Sequence, residues 1–253
     1  MVILSYPHAG GRFVQEALAE GNDLVCTAGT GILLQCAAAA AAWEQIDNNP
    51  GAGLSRLALS SIRVLVRTQL ACIVAAAPGR ARWCELTVAD PSVAQTFLRI
   101  VPATRFVCVH RACIGVISAA IAANPWGLAG PRLSGFTARY PGNSVAAAAA
   151  YWVSATEQLL AFEAANPQCT TRARYEDVRA GQHGLDGVRT ALHLRRADRQ
   201  ASVKPSPSAE EEPQGGEIPI PEGMIPDDLH KRIDDLQARL GHPLSVGQLV
   251  GSV

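Results

Sequence analysis

The 253-residue sequence is poor in lysine, in aromatic residues and in net charge. Lysine occurs only at positions 204 and 231, aromatic residues make up 5% of the chain, and 22 basic side chains balance 22 acidic ones. A formal net charge of zero gives no overall field that would favour nucleic acid or an acidic membrane surface. We therefore expect neither a nucleic-acid partner nor a membrane partner, and composition alone does not predict the oligomeric state.

The sequence also lacks cysteine pairs with metal-binding spacing. Its seven cysteines are scattered, odd in number and without any Cys-x-x-Cys pair. Buried, reduced thiols explain this pattern most simply, and they are typical of a reducing compartment. No basic region followed by an apolar stretch opens the chain, so a secretory signal is not expected. These features predict a cytoplasmic protein without a bound metal.

Short apolar runs alternate with helix-favouring runs along most of the chain. Runs typical of strands begin at Val2, Asp23, Trp83, Arg105 and Cys169. Strands that alternate with helices predict an α/β fold with a mostly parallel sheet flanked by helices. In such sheets, ligands bind beyond the carboxyl ends of the strands. At this length, we expect a single domain over residues 1–253.

Capping residues predict where two of the helices begin. Asp90 is the expected N-cap of a helix whose first residue is Pro91. Ser144 is expected to cap a long helix that ends near Ala165.

Two stretches have the composition of irregular structure. Residues 124–143 hold several Gly and Pro residues and predict a long surface loop that walls a substrate site. Residues 204–226 are rich in Pro, Glu, Ser and Gly, which predicts a mobile segment or an irregular flap. An amphipathic helix is expected to follow over residues 227–240.

A glycine-containing stretch links the first predicted strand to an amphipathic helix. It includes His8-Ala9-Gly10-Gly11-Arg12. A strand, a tight loop and a helix in this order direct backbone N–H groups and a helix N-terminus at an anion. No Gly-Lys-Ser/Thr closes the loop, so it is not a Walker A motif. Glycines also occur in such turns for geometry alone, and both interpretations stay open on this stretch by itself.

Three separated stretches together resemble the sulfotransferase family, including its bacterial and tyrosylprotein-type members. Tyr6 to Phe13 resembles the phosphosulfate-binding loop, usually Tyr/Val-Pro-Lys/Arg-Ser-Gly-Thr-Thr and an apolar residue. Ala103 to Arg111 resembles the second motif, in which an Arg and a later Ser hold the donor's 3′-phosphate. Trp152 and the stretch from Arg174 to Val178 resemble the family's Trp…Arg-Tyr-Glu-Asp-Leu segment.

The resemblance implies a P-loop-containing nucleotide-hydrolase-like sulfotransferase fold and PAPS (3′-phosphoadenosine 5′-phosphosulfate) as co-substrate, without a metal. The implied reaction moves a sulfuryl group to a hydroxyl of a small molecule, such as an intermediate of natural product biosynthesis. The implied donor-binding residues are His8, Ala9, Gly10, Gly11, Arg12, Phe13, Arg111, Ser118 and Tyr175. The implied catalytic residues are His8 and Glu85, with Glu85 as general base and His110 or His8 as alternative bases.

The chain departs from the family pattern at several of these positions. His8 stands where the family has Lys or Arg, and Ala9 and Gly11 lack hydroxyls that contact the 5′-phosphate. Arg12 would either replace those contacts or simply face solvent at the start of a helix. Ser118 lies one residue before the position aligned with the family's Ser. A sulfotransferase-fold protein that binds nucleotide or another ligand without transfer activity is therefore the first alternative, and a P-loop small-molecule kinase is the second.

For two further residues, the sequence leaves a structural role open beside the functional one. Tyr175 would contact the nucleotide or simply pack. Arg111 would hold phosphate or serve as a structural arginine at a strand end.

Overall fold

A parallel sheet forms the centre of the molecule in the computed structural model. The structure describes residues 1–20, 22–46, 55–77, 79, 82–88, 90–124, 128, 132–194, 220–221 and 223–242. The strands within these residues are β1 (Val2–Ser5), β2 (Leu24–Ala28), β3 (Arg82–Val88), β4 (Phe106–His110) and β5 (Thr170–Arg174). They are ordered β2-β3-β1-β4-β5, and every pairing is parallel.

Helices cover both faces of this sheet. They are α1 (Gly11–Ala19), α2 (Ile32–Ile46), α3 (Arg56–Ala75), α4 (Pro91–Ile100), α5 (Cys113–Ala123), α6 (Ser134–Arg139), α7 (Ser144–Ala165), α8 (Tyr175–Ala180), α9 (Asp186–Ala191) and α10 (Asp227–Leu240), with a 3₁₀ turn at Gln182–Leu185. Helices α1, α8 and α9 contribute to the core on one face, and α2 to α5, α7 and α10 contribute to the core on the other. The α/β class with a mostly parallel, helix-flanked sheet is therefore confirmed.

The central strands are apolar on both faces because both faces are buried. Val2 and Leu4 belong to the larger core, whereas Ile3, between them, belongs to the smaller core with Val14 and Leu18 of α1. All five side chains have no exposed surface. Burying an aliphatic side chain of this size contributes about 1.5–3 kcal/mol, so the alternating burial stabilises β1 in the middle of the sheet.

Several predicted elements are observed at the predicted places. The Asp90 carboxylate accepts hydrogen bonds from the amides of Ser92 and Val93, and Pro91 opens helix α4. Helix α10 spans Asp227–Leu240, as its amphipathic pattern predicts. These helices were predictable because capping and helical periodicity depend on residues that are close in sequence.

Other predictions need correction. The cap of α7 is Asn143 rather than Ser144, since the Asn143 side chain accepts a hydrogen bond from the amide of Ala146. The predicted loop over 124–143 contains helix α6, although residues 125–127 and 129–131 lie outside the described residues. Helices α8 and α9 have no counterpart in the sequence prediction. Most of the predicted flap, residues 204–219 and 222, also lies outside the described residues, so the flap stays a prediction.

Helix α3 has the length and the hydropathy of a membrane-spanning helix. Its mean hydropathy reaches 1.6 over a window of which 17% is buried. One such helix, judged by length and composition only, is weak evidence for a membrane span. In this fold the Arg63 side chain donates a hydrogen bond of 2.6 Å to the carbonyl of Ile100, which ties α3 to the end of α4. The expected lack of a membrane partner stays a prediction.

Asn143→Ala should lower the free energy of unfolding by about 1–2 kcal/mol, because it removes the cap of α7. It also removes the hydrogen bond of 2.8 Å from the Asn143 amide to the carbonyl of Met224. Ser144→Ala should change the free energy by less than about 0.5 kcal/mol. Urea denaturation measures both. A Ser144→Ala loss as large as that of Asn143→Ala would contradict the assignment of the cap.

Candidate functional site

The candidate site lies where three neighbouring strands end. Tyr6 follows β1, Arg111 follows β4, and Tyr175 follows β5 directly. Because β1, β4 and β5 are adjacent and parallel, their carboxyl ends meet at one edge of the sheet. The three stretches that resemble sulfotransferase motifs are therefore brought together in space, although they are far apart in sequence.

The loop after β1 has the backbone geometry of an anion-binding turn. The amide of Ala9 donates a hydrogen bond of 3.1 Å to the carbonyl of Tyr6. His8 and Gly10 have positive φ angles of 66° and 81°, and Gly10 is the N-cap residue of α1. Gly10 has no side chain to cap the helix, and the first amides of a helix have no carbonyl one turn earlier. The N-terminus of α1 therefore directs donors and a positive dipole end out of the loop.

Neighbouring side chains leave room only for glycine at two loop positions. A Cβ atom on Gly10 would collide with the ring of Tyr175. A Cβ atom on Gly11 would lie 2.5 Å from the Cβ of Ser5 and 2.8 Å from Cδ1 of Leu86. The loop is therefore packed against β1, β3 and the start of α8.

Arg111 links the loop to the other two strand ends. Its Nη1 donates a hydrogen bond of 2.9 Å to the carbonyl of His8, and its guanidinium carbon lies 4.4 Å from the centroid of the Tyr175 ring. A Cβ atom on Gly115 would lie 2.7 Å from Nε of Arg111, so the side chain also rests on helix α5. The ring of Phe13 packs edge to face against the ring of Tyr175, with 5.7 Å between the two ring centroids.

The backbone around Arg111 is held by three side chains that were not predicted as site residues. The Arg111 amide donates to the hydroxyl of Tyr6 at 3.4 Å, and Trp152 Nε1 donates to the Arg111 carbonyl at 2.9 Å. Glu176 Oε1 accepts a hydrogen bond of 2.8 Å from the amide of Ala112. Burial raises the pKa of Tyr6, so its hydroxyl stays protonated. All three residues lie in or beside the resembling stretches, which is the signal that could have identified them.

Ser118 and Ala9 are two of the predicted donor-binding residues, and both are buried. Ser118 lies on α5, 8% exposed, three residues after Gly115, which Arg111 contacts. Residues three apart on a helix share a face, so Ser118 lies on the same side of α5 as Gly115. Ala9 is completely buried.

The observed ion pair of Arg12 lies on the surface of helix α1 and does not direct the side chain into the cluster. Its side chain is 48% exposed, and Nε lies 3.2 Å from Oε1 of Glu16, one turn later on α1. This is the common pairing of opposite charges four residues apart on a helix surface.

Glu85 lies below the edge of the sheet at which the other predicted residues meet. It pairs with Val2 in the register, three residues before the Ser5–Val88 pair, which corresponds to roughly 10 Å along the strand. Glu85 is 1% exposed, and its carboxylate accepts hydrogen bonds from the hydroxyls of Thr27 and Thr30 and from the Thr30 amide. The carboxylate therefore ties β2 and the loop after it to β3, while its predicted role as a base stays untested.

His110, one of the two alternative bases, is completely buried and directly precedes Arg111. Its Nε2 lies 2.7 Å from Oε1 of Glu163 on α7, and Arg172 contacts the other oxygen of the same carboxylate. Burial raises the pKa of Glu163, but hydrogen bonds and charge from His110 and Arg172 outweigh burial and leave that pKa lowered overall.

Two cavities lie outside the cluster. One of about 460 Å³ lies beside β5, α7 and α10, and is lined by Leu160, Glu163, Ala164, Pro167, Thr170, Arg172 and Arg239. One of about 410 Å³ lies between α2 and α3, and is lined by Thr30, Ile32, Gln35, Leu65, Thr68, Gln69, Cys72 and Ile73. The second cavity borders Thr30, which connects it to Glu85. Among the described residues, no cluster of three or more His, Cys, Asp or Glu side chains could hold a metal ion.

A solved structure with this architecture is known. The sulfotransferase domain of the olefin synthase from Synechococcus PCC 7002 superposes with a TM-score of 0.51 and 13% sequence identity, over 96% of this chain and 94% of that chain. No protein-family model matches the chain, and no curated protein sequence matches it significantly. The likeness at this identity establishes a sulfotransferase-like fold, and it leaves the predicted roles of the site residues as predictions.

Gly10→Ala should destabilise the protein by about 1–3 kcal/mol more than Gly142→Ala, because only at Gly10 does the new methyl group meet a neighbour. Gly142 has a similar φ of 75°, but nothing lies within 4 Å of the place that a Cβ atom would take there. The backbone strain is thus matched, and urea denaturation isolates the contact with Tyr175. Equal losses for the two variants would contradict the packing of the ring on the loop.

Proposed function

We propose that this protein transfers a sulfuryl group from PAPS to a hydroxyl group of a small molecule. The observation that carries the proposal is the convergence of Gly10, Arg111 and Tyr175 at one edge of a sulfotransferase-like sheet. Similarity of fold alone is compatible with many functions, so the proposal depends on this cluster.

The cluster fits the chemistry of a nucleotide with phosphate groups at both ends. PAPS supplies an activated sulfuryl group, and its binding needs donors for anionic oxygens at two separated places. The amides at the start of α1 serve the 5′ end, because they combine N–H donors with the helix dipole. Arg111 and Ser118 serve the 3′-phosphate, since a guanidinium fork and a hydroxyl suit phosphate oxygens.

His8 is the proposed catalytic residue of the loop. Sulfuryl transfer builds negative charge on the oxygen that links sulfur to the 5′-phosphate, and preorganised donors stabilise that charge. An imidazolium serves as such a cation only when protonated, whereas a neutral imidazole donates through one ring nitrogen. Glu85 is the proposed general base, and its carboxylate is held in place by hydrogen bonds from Thr27 and Thr30.

The acceptor we propose is a predominantly apolar alcohol or phenol. The cavity between α2 and α3 has apolar walls, including Leu65 and Ile73, and a polar end at Thr30. Such a cavity favours a hydrophobic body with few polar groups. The similar solved domain is described as part of an olefin synthase, which supports a biosynthetic setting for the reaction.

Nucleotide binding without transfer is the second candidate function. It is favoured by two observations: His8 replaces the family's Lys or Arg, and Arg12 pairs with Glu16 on the helix surface. The replacement of Lys or Arg by His8 and the pairing of Arg12 with Glu16 both reduce the positive charge that the loop offers to an anion.

Purified protein should be stabilised in a thermal-shift assay by PAP, the product nucleotide of PAPS, more than by AMP or by ATP with Mg²⁺. Ser118→Ala should weaken PAP binding about tenfold and leave AMP binding unchanged, because AMP has no 3′-phosphate and a hydrogen bond to a charged group contributes about 1.5–3 kcal/mol. Calorimetric titration of both nucleotides measures this difference.

Arg111→Lys provides the companion variant, because it keeps the charge and loses the planar fork. It too should reduce PAP affinity more than AMP affinity. Absence of any response to PAP would sink the proposal, and preferential stabilisation by ATP with Mg²⁺ would favour a kinase. PAP binding without sulfate transfer to a panel of apolar alcohols and phenols would favour the second candidate function.

His8→Lys should raise the transfer rate roughly tenfold at pH 8, since a lysine keeps its charge where most histidines have lost theirs. The variant's rate should also depend less on pH between 6 and about 8.5. His230→Lys on α10 is the matched control and should leave the rate unchanged. A rate that falls in His8→Lys at every pH would show that the imidazole acts as a proton acceptor rather than as a cation.

A further inference from the structure

Two cysteines lie directly opposite each other on neighbouring strands. Cys26 of β2 and Cys84 of β3 are paired in the register of the parallel sheet. Neighbouring strands are about 4.7–4.9 Å apart, and disulfides join Cα atoms that are about 4.4–6.8 Å apart. Among the strand pairings that the structure describes, this is the one that sets cysteine against cysteine.

The two thiols differ in access to solvent. Cys26 is exposed on the strand at the edge of the sheet, whereas Cys84 is completely buried. The Cys84 thiol contacts Cys26 through a hydrogen bond, and this bond together with burial raises the pKa of Cys84. Cys84 therefore keeps its proton, and Cys26, which is exposed, is the member of the pair that reagents meet first.

A third side chain holds the inner cysteine in place. Gln15 of α1 is 6% exposed, and its Nε2 donates to the carbonyl of Thr27 at 2.8 Å and to the carbonyl of Cys84 at 3.3 Å. The same nitrogen lies 3.9 Å from the Cys84 sulfur. Gln15 of helix α1 thus links β2 and β3 next to the cysteine pair, which keeps the two strands together at this place.

We propose that Cys26 and Cys84 are a site of reversible oxidative modification by hydrogen peroxide or an organic hydroperoxide. The Cys26 thiolate attacks the peroxide oxygen, the O–O bond breaks, and a sulfenic acid forms, while the leaving hydroxide or alkoxide takes up a proton and departs as water or an alcohol. The Cys84 sulfur then attacks the Cys26 sulfur, the S–O bond breaks, the Cys84 proton passes to the leaving hydroxide, and a disulfide forms with release of water. Two thiols are oxidised and one peroxide is reduced, and a small thiol reductant reverses the reaction.

The chain contains its own control for exposure. Cys72 on α3 is also exposed, but it lies on a helix and has no partner cysteine in a strand register. Oxidation of Cys72 should therefore stop at the sulfenic acid or proceed to higher oxides. Any difference in oxidation between Cys26 and Cys72 should therefore come from the neighbouring Cys84 thiol rather than from exposure to solvent.

The test treats the reduced full-length protein at low micromolar concentration with equimolar hydrogen peroxide, then alkylates it and maps its peptides by mass spectrometry. A peptide pair joined through Cys26 and Cys84 is expected, and it should disappear on treatment with dithiothreitol. Dimedone, which traps sulfenic acids, should label Cys72 at least tenfold more than Cys26.

Two variants at exposed cysteines, Cys26→Ser and Cys72→Ser, test the proposal without changing the core. Cys26→Ser should abolish the linked peptides, and Cys72→Ser should leave their yield unchanged. Cys84→Ala should make Cys26 as reactive toward dimedone as Cys72, and circular dichroism checks that this variant is folded. If Cys84→Ala does not fold, the yields in Cys26→Ser and Cys72→Ser decide alone. Stable dimedone labelling of Cys26 in the wild-type protein, or a disulfide between two copies through Cys26, would overturn the proposal.

Discussion

The contact of Arg111 with the His8 carbonyl and the Tyr175 ring is the interaction on which the candidate site depends. One guanidinium joins the ends of three strands, because it donates to the loop after β1, follows β4 and lies over the residue that follows β5. A cation over an aromatic face contributes about 0.5–2 kcal/mol, and a hydrogen bond to a carbonyl contributes about as much. Arg111 therefore has a structural role at this edge of the sheet, and this role is compatible with the phosphate contact that we propose for it.

The meeting of these residues was predictable from the sequence, because parallel strands bring their carboxyl ends to one edge. The depth of Glu85 was not predictable, because it depends on the register between β1 and β3, which side chains distant in sequence decide. The sequence leaves the orientation of Arg12 open between two interpretations, and the choice depends on Glu16, four residues away. The cap of helix α7 lies one residue before the expected cap, since both Asn143 and Ser144 have capping side chains and local sequence does not separate them.

The side chains of Tyr6, Trp152 and Glu176 hold the backbone next to the Arg111 side chain through hydrogen bonds. Each binds a backbone group of Arg111 or Ala112, and so each fixes the turn from which the Arg111 side chain starts. A backbone group left unpaired in a buried place costs about 1–3 kcal/mol, so these side chains hold the turn in a single conformation. The resemblance to the sulfotransferase motifs is thus closer in these three residues than in the loop.

The unusual loop composition follows from how tightly the loop is packed. Ala9 has no exposed surface, and Gly11 lies against Ser5 and Leu86 without space for a methyl group, so neither position could hold a hydroxyl side chain. With those hydroxyls absent, the loop offers an anion its backbone amides and the dipole of α1, neither of which changes with pH. The catalytic role that we propose for His8 therefore rests on its imidazole group, because the neighbouring loop positions supply no hydroxyl group.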